Sequence, residues 1–185
     1  MTDTLRILGI AGSLRAGSFN RSLLRAAVER APEDMTIEVF DLAAVPLYNG
    51  DVEAAGDPPG VAAFKQAIAA ADGVLMATPE YNHGVPGVMK NAIDWASRPP
   101  REAPLGGKPV GLIGASPGIT GTARGQSQLR QAFEFTNSSC MPQPELLVFK
   151  VHEKFDAEGK LIDEQTAEFL EKYLVAFGDW VRRFR

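Results

Sequence analysis

Leu5-Arg-Ile-Leu-Gly-Ile-Ala-Gly-Ser-Leu-Arg-Ala-Gly-Ser-Phe-Asn-Arg-Ser22 begins as a mostly apolar run, Leu5 to Ile10, and ends as a loop of small and hydroxylated residues. The apolar run reads as a buried strand. After it, Gly12 and Gly17 let the backbone turn tightly and approach a ligand; Ser13, Ser18 and Ser22 offer hydroxyls and Arg15 a guanidinium. Leu23, Leu24, Ala27 and Val28 then recur with helical spacing. The loop should therefore deliver its donors to a helix N-terminus, where free N–H groups and the helix dipole favour an anion. A plainer alternative is a flexible turn that only caps the helix, with Asn20 as N-cap.

Outward from this segment, strand-like and helix-like runs alternate to the end of the chain. Strands are expected near Leu5 to Ile10, Met35 to Phe40, Gly73 to Thr78, Pro109 to Ala115 and Leu146 to Phe149. Helices are expected near Ser22 to Ala31, Gly60 to Ala71, Pro86 to Ser97, Gly121 to Phe135 and Asp163 to Phe184. Val74-Leu-Met-Ala77 and Val110-Gly-Leu-Ile113 are continuously apolar rather than alternating, the pattern of strands covered on both faces. An α/β, doubly wound parallel sheet of five strands follows. In such sheets ligands lie beyond the carboxyl ends of the strands, so the informative loops follow strands one, three and four. In the last helix, Phe169, Tyr173, Ala176, Phe177 and Trp180 form a stripe, with Leu170, Leu174 and Val181 beside it, that reads as core packing.

Composition narrows the function. With 185 residues, 45% hydrophobic and 23% charged, the chain is expected to be a single domain, 1-185. A net charge of -4 without a concentrated basic face argues against nucleic acid as a partner. Gly60 to Ala71 is apolar but too short, and too interrupted by Lys65 and Gln66, for membrane insertion. Met1-Thr-Asp-Thr opens directly into a strand, so no signal peptide or lipidation site is expected. The single cysteine, Cys140, has no internal disulfide partner and reads as a packed small hydrophobe, and no Cys/His cluster has zinc spacing. A reducing, cytoplasmic location follows.

Two nucleotide motifs fail on the first loop. Gly9, Gly12 and Gly17 have the wrong intervals for a dinucleotide fingerprint. Gly12-x-x-x-x-Gly17 matches the glycine spacing of a P-loop, but Ser18-Phe19 stands where Lys-Ser/Thr belongs, so a triphosphate and its magnesium lack their anchors. What remains is a hydroxyl-rich nest with one Arg, suited to a phosphate monoester such as that of FMN.

The third strand ends in Pro79-Glu-Tyr-Asn-His-Gly-Val-Pro-Gly-Val-Met-Lys-Asn-Ala-Ile-Asp-Trp95. Pro79 and Pro86 restrict this loop, and Gly84 and Gly87 permit close approach, so Glu80 to His83 can present main-chain groups to the edge of a flat heterocycle. Tyr81 and His83 are placed to lie against its rim. Each also has a plain reading: Glu80 a solvated carboxylate, Tyr81 a surface anchor, His83 a loop histidine. Asn91, Asp94 and Trp95 read as helix packing or a subunit contact.

After the fourth strand, Gly114-Ala-Ser116-Pro-Gly118 satisfies Gly-x-Ser-x-Gly, and Glu134 or Glu145 followed by His152 has the chain order of a serine hydrolase triad. That reading fails at Pro117, which lacks the N–H the oxyanion hole requires. Losing such a donor costs roughly 3 to 4 kcal/mol of transition-state stabilisation. Gly114, Ser116 and Gly118 read better as a loop by which backbone and a hydroxyl reach a ligand.

Taken together, Gly12-Ser-Leu-Arg-Ala-Gly-Ser-Phe-Asn20, Pro79-Glu-Tyr-Asn82 and Val85-Pro-Gly-Val-Met-Lys-Asn-Ala-Ile-Asp-Trp95 resemble the NAD(P)H-dependent FMN reductase and quinone reductase family of flavodoxin-like fold. That family includes bacterial quinone, azo-dye and chromate reductases. The likeness extends through Gly121-Thr-Ala-Arg-Gly-Gln126 and Leu129-Arg-Gln131 to the closing amphipathic helix. It implies a sheet of strand order 2-1-3-4-5 and FMN as cofactor, with NADPH or NADH as cosubstrate. Ser13, Arg15, Gly17, Ser18, Phe19 and Asn20 would hold the phosphate and ribityl chain. Pro79, Glu80, Tyr81, Asn82 and His83 would contact the isoalloxazine, mostly through backbone atoms, with Ser116 on the far side. It further implies ping-pong hydride transfer to a small-molecule electron acceptor and a homodimer or homotetramer. In the family's tetramer contact of Arg, Tyr and Glu, Arg124 and Glu145 match but Ser127 replaces the Tyr. The alternatives are a flavodoxin-like electron carrier and a flavin reductase with FMN as substrate.

Overall fold

The computed structural model describes residues 4–185. The expectation that no leader precedes the first strand rests partly on residues 1–3, which lie outside the described residues. In chain order the elements are β1 (Leu5–Ala11), α1 (Phe19–Glu29), β2 (Met35–Phe40), α2 (Gly50–Ala55), α3 (Pro59–Ala70), β3 (Gly73–Ala77), α4 (Gly87–Ala96) and β4 (Pro109–Ala115). They are followed by α5 (Ala123–Thr136), β5 (Ser139–Cys140), β6 (Leu146–Val148) and α6 (Glu164–Arg182). Every strand pair is parallel and the order is β2-β1-β3-β4-β5, with β6 also paired to β4.

The expected single fifth strand is two short ones sharing one edge position. Ser139 and Cys140 pair with Pro109 and Val110, whereas Leu146 to Val148 pair with Ile113 to Ala115. Between them lie Pro142 and Pro144, which have no N–H to give a ladder, so pairing stops and resumes beyond them. Phe149 lies outside the strand and is half exposed.

The apolar runs bury both faces by parity. Leu5 and Ile7 of β1 and Leu75 and Ala77 of β3 join Leu23, Leu24, Leu170, Leu174 and Phe177 of α1 and α6 in one core. Leu8, Ile10, Val74 and Met76 point the other way, onto Phe64, Ile68, Met89, Ile93, Leu129 and Phe133 of α3, α4 and α5. Side chains alternate along a strand, so each continuous hydrophobic run supplies two cores and needs helices on both sides.

The closing helix packs as expected in kind, but its buried stripe is turned. Leu170, Tyr173, Leu174, Phe177 and Val181 are buried, while Phe169 is exposed. Asp163 is the N-cap rather than the first residue: its Oδ1 accepts from Thr166 N at 2.9 Å and from Lys154 Nζ at 2.9 Å. Asn91 and Trp95 serve packing within the chain: both donate to the Pro46 carbonyl at 2.8 Å, and Asn91 accepts from Tyr48 N at 2.8 Å. Cys140 sits in a desolvated position that pushes its thiol up to about 11. Among the described residues no helix is long and apolar enough to cross a membrane, and no group of three or more His, Cys, Asp or Glu is placed to hold a metal ion.

Candidate functional site

The loops after β1, β3 and β4 meet at the carboxyl ends of the strands, and the first forms the start of α1. This helix begins at Phe19, three residues earlier than its apolar periodicity suggests. Ser18 is the N-cap, in extended backbone, and its hydroxyl makes no capping bond; the first turn contains no acid. Among the described residues, the N–H groups of Phe19, Asn20 and Arg21 have no hydrogen-bond partner. Ser13 and Ser18 are buried beside them, and Arg15 folds back so that its Nη1 lies 3.2 Å from where a Cβ on Gly17 would stand. Three free donors, two sheltered hydroxyls and a guanidinium at a positive helix end make a receptor for a dianion.

Other residues expected around the phosphate have structural work. Gly12 is tightly packed: a Cβ there would approach Met89 Cβ to 3.1 Å and Pro79 Cδ to 3.2 Å. Ser22 faces away, accepting from Arg25 Nη2 at 3.0 Å. The Phe19 ring packs on the core, 6.3 Å from the Phe155 ring. Asn20 is not the N-cap. Its Nδ2 donates to the Ala115 carbonyl and its Oδ1 accepts from the Ala115 N–H, both at 2.9 Å. The β3–β4 ladder ends at Ala77 and Ile113, so one buried amide stands in for the next ladder partner and fixes α1 to the end of β4.

The loop after β3 is closed by backbone hydrogen bonds. Tyr81 and Gly84 exchange N–H···O bonds at 3.1 and 3.0 Å, and the two residues between them have positive φ, 52° at Asn82 and 63° at His83. This is a type I′ turn, for which Asn is well suited and His less so. The turn leaves the N–H groups of Asn82 and His83 unpaired among the described residues. Tyr81 is half exposed, its hydroxyl 3.5 Å from Ser13 Oγ, so it leans toward the phosphate loop. Glu80 is not a solvated carboxylate. Its side chain is 8% exposed; Oε2 accepts from the backbone N–H of Arg124 at 2.9 Å and of Gly125 at 3.0 Å, at the start of α5.

In the loop after β4, Ser116 donates its N–H to the Val148 carbonyl at 2.9 Å, and its Oγ accepts from Gly118 N at 3.1 Å. His152 pairs with Glu153 at 3.7 Å and Glu145 with Arg130 at 3.7 Å, so neither pairs with this serine. Gly114 has a packing reason: a Cβ would stand 1.8 Å from Thr122 Oγ1. The Gly-x-Ser-x-Gly match is thus a tight turn whose glycine accommodates a helix.

Local patterning does not reveal the Asn20 clamp, the Glu80 carboxylate on α5, or Gln128, whose Oε1 accepts from Val85 N at 2.8 Å. Each links segments at least 43 residues apart, beyond any local pattern.

The model of the family described as NADPH-dependent FMN reductase matches residues 5–153. Over 185 residues, all of both chains, the sequence is 48% identical to an NAD(P)H-dependent FMN reductase of Pseudomonas aeruginosa. It is 44% identical to a 2-hydroxy-1,4-benzoquinone reductase of a Burkholderia species, covering 96% of this chain and 97% of that one. The solved flavoenzyme NAD(P)H:(acceptor) oxidoreductase of Paracoccus denitrificans superposes with a TM-score of 0.89 at 36% identity, covering 98% of this chain and 99% of its own.

Proposed function

The chain belongs to the NADPH-dependent FMN reductase family, and from that premise we propose that it is a single-domain, FMN-dependent NAD(P)H oxidoreductase that reduces quinones by a ping-pong route. FMN, when bound, would supply the two-electron redox chemistry between NAD(P)H and the acceptor. The chain's own groups bind and orient. The free N–H groups of Phe19 to Arg21, with Ser13, Arg15, Gly17 and Ser18, hold the phosphate, while Asn20 fixes that loop to β4. The unpaired N–H groups of Asn82 and His83, backed by Pro79, Glu80 and Tyr81, meet the ring edge, and Ser116 borders the opposite side.

The observation that carries this reading is the start of α1, an uncapped helix end with sheltered serines beside a locked turn. No side chain is assigned an acid or base role, since a quinone takes its protons from solvent and the site's task is to keep one face open to donor and acceptor in turn. Chromate, azo dyes and free flavin are further acceptors of the same two-electron chemistry. The apolar, exposed Leu14, Tyr81 and Ile119 on the loops around the site support a homodimer or homotetramer, and a cytoplasmic location completes the proposal.

Anaerobic mixing of the flavin-loaded protein with NADPH, and separately with NADH, tests the activity. Rapid two-electron bleaching, reversed by added benzoquinone, is expected. Absence of bleaching with either nucleotide makes the protein an electron carrier instead.

A further inference from the structure

We infer that Glu80 is a positioning residue for the flavin ring, acting through α5 rather than by touching the ring, an inference that rests on the function proposed above. Helix α5 lacks a cap of its own: Thr122 at its N-cap makes no side-chain capping bond, and its first turn contains no acid. The missing carboxylate comes from Glu80, 44 residues away, which takes two first-turn N–H groups at 2.9 and 3.0 Å. A charge at a helix N-terminus with two backbone donors is among the stronger hydrogen-bond arrangements a protein makes.

The other end of the turn is held by the same helix. One turn further along α5, Gln128 accepts from Val85 N at 2.8 Å, and a Cβ on Gly84 would fall 2.8 Å from that same oxygen. The residues on either side of Tyr81–Gly84 are therefore both fastened to α5. Arg124 adds a third tie: its Nη1 reaches Glu80 Oε1 at 3.3 Å and Thr120 Oγ1 at 3.4 Å, joining the loop after β4 to the same plate. The I′ turn sets where the Asn82 and His83 N–H groups point, and α5 sets where the turn sits.

The test compares Glu80→Gln, which keeps size and one acceptor but loses the charge, with Gln128→Ala. Amide hydrogen exchange on the flavin-free protein should show Tyr81 and Gly84 losing protection about tenfold in Glu80→Gln, with Leu75 in β3 unchanged. Titrations with FMN and with riboflavin should weaken by the same factor, about tenfold, in both variants, because the ring and not the phosphate loses its seat. Unchanged protection overturns the inference. So do FMN and riboflavin affinities within twofold of the parent, or a loss confined to FMN. If the parent protein takes up no flavin, the proposed function falls, while the exchange experiment still decides whether Glu80 holds the turn.

Discussion

Replacing Asn20 should be among the most damaging single polar changes in this protein, although Asn20 lies in a loop-to-helix junction. Its amide and the Ala115 peptide are both buried, and they exchange two hydrogen bonds of 2.9 Å. In Asn20→Ala the Ala115 N–H and C=O both lose their partner at a place the β3 ladder no longer reaches. At about 1 to 3 kcal/mol for each of the two unsatisfied buried groups, the loss is about 2 to 6 kcal/mol. Urea unfolding followed by far-ultraviolet circular dichroism should show a midpoint lowered by about 1 to 3 M for a slope of about 2 kcal/mol/M, with the slope unchanged. Asn20→Asp separates the two bonds. The carboxylate still accepts from the Ala115 N–H but opposes the carbonyl, so its folded-state pKa is raised above the ordinary ~3.9. The protonated acid restores the donor, so this variant is relatively stable below about pH 4 and loses stability as pH rises through the raised pKa. An Asn20→Ala protein within about 0.5 kcal/mol of the parent would refute the clamp.

Arg15→Ala should weaken FMN by about 1.5 to 3 kcal/mol while leaving riboflavin binding unchanged, as read by flavin fluorescence; equal loss for both flavins contradicts a phosphate contact. Asp163 is held at about 2, below the usual carboxylate range, by hydrogen bonds from the Thr166 hydroxyl, from Lys154 and from the Thr166 N–H. Its contribution is therefore present above pH ~4 and lost as pH falls toward 2, and Asp163→Asn should flatten the melting temperature over that interval. Parallel acid limbs in parent and variant would remove that role. Ser116→Ala should retain most NAD(P)H oxidation; near-complete loss would return the serine to a nucleophile's part.

The β-sheet was legible because a doubly covered parallel strand has no polar alternation to confuse it, and Val74–Ala77 and Val110–Ile113 declare themselves by apolar content alone. The split fifth position was also written in the chain, as Pro142 and Pro144, but the single run at Leu146 drew the strand to itself. Helix α2 escaped for the opposite reason: it has no buried residue and so no apolar period, although Asn49 caps it and Asp51 and Glu53 occupy its first turn. At the site, the serines and arginine of the first loop could be recognised by type. The duties of Phe19, Asn20 and Glu80 could not, since each is fixed by a partner far along the chain: Phe155, Ala115 and the start of α5.

A crystal structure of the protein with FMN tests the central claim most directly. The account predicts the phosphate at the first turn of α1, bonded to the N–H groups of Phe19 to Arg21 and to the hydroxyls of Ser13 and Ser18. A phosphate bound anywhere else on the protein would contradict it.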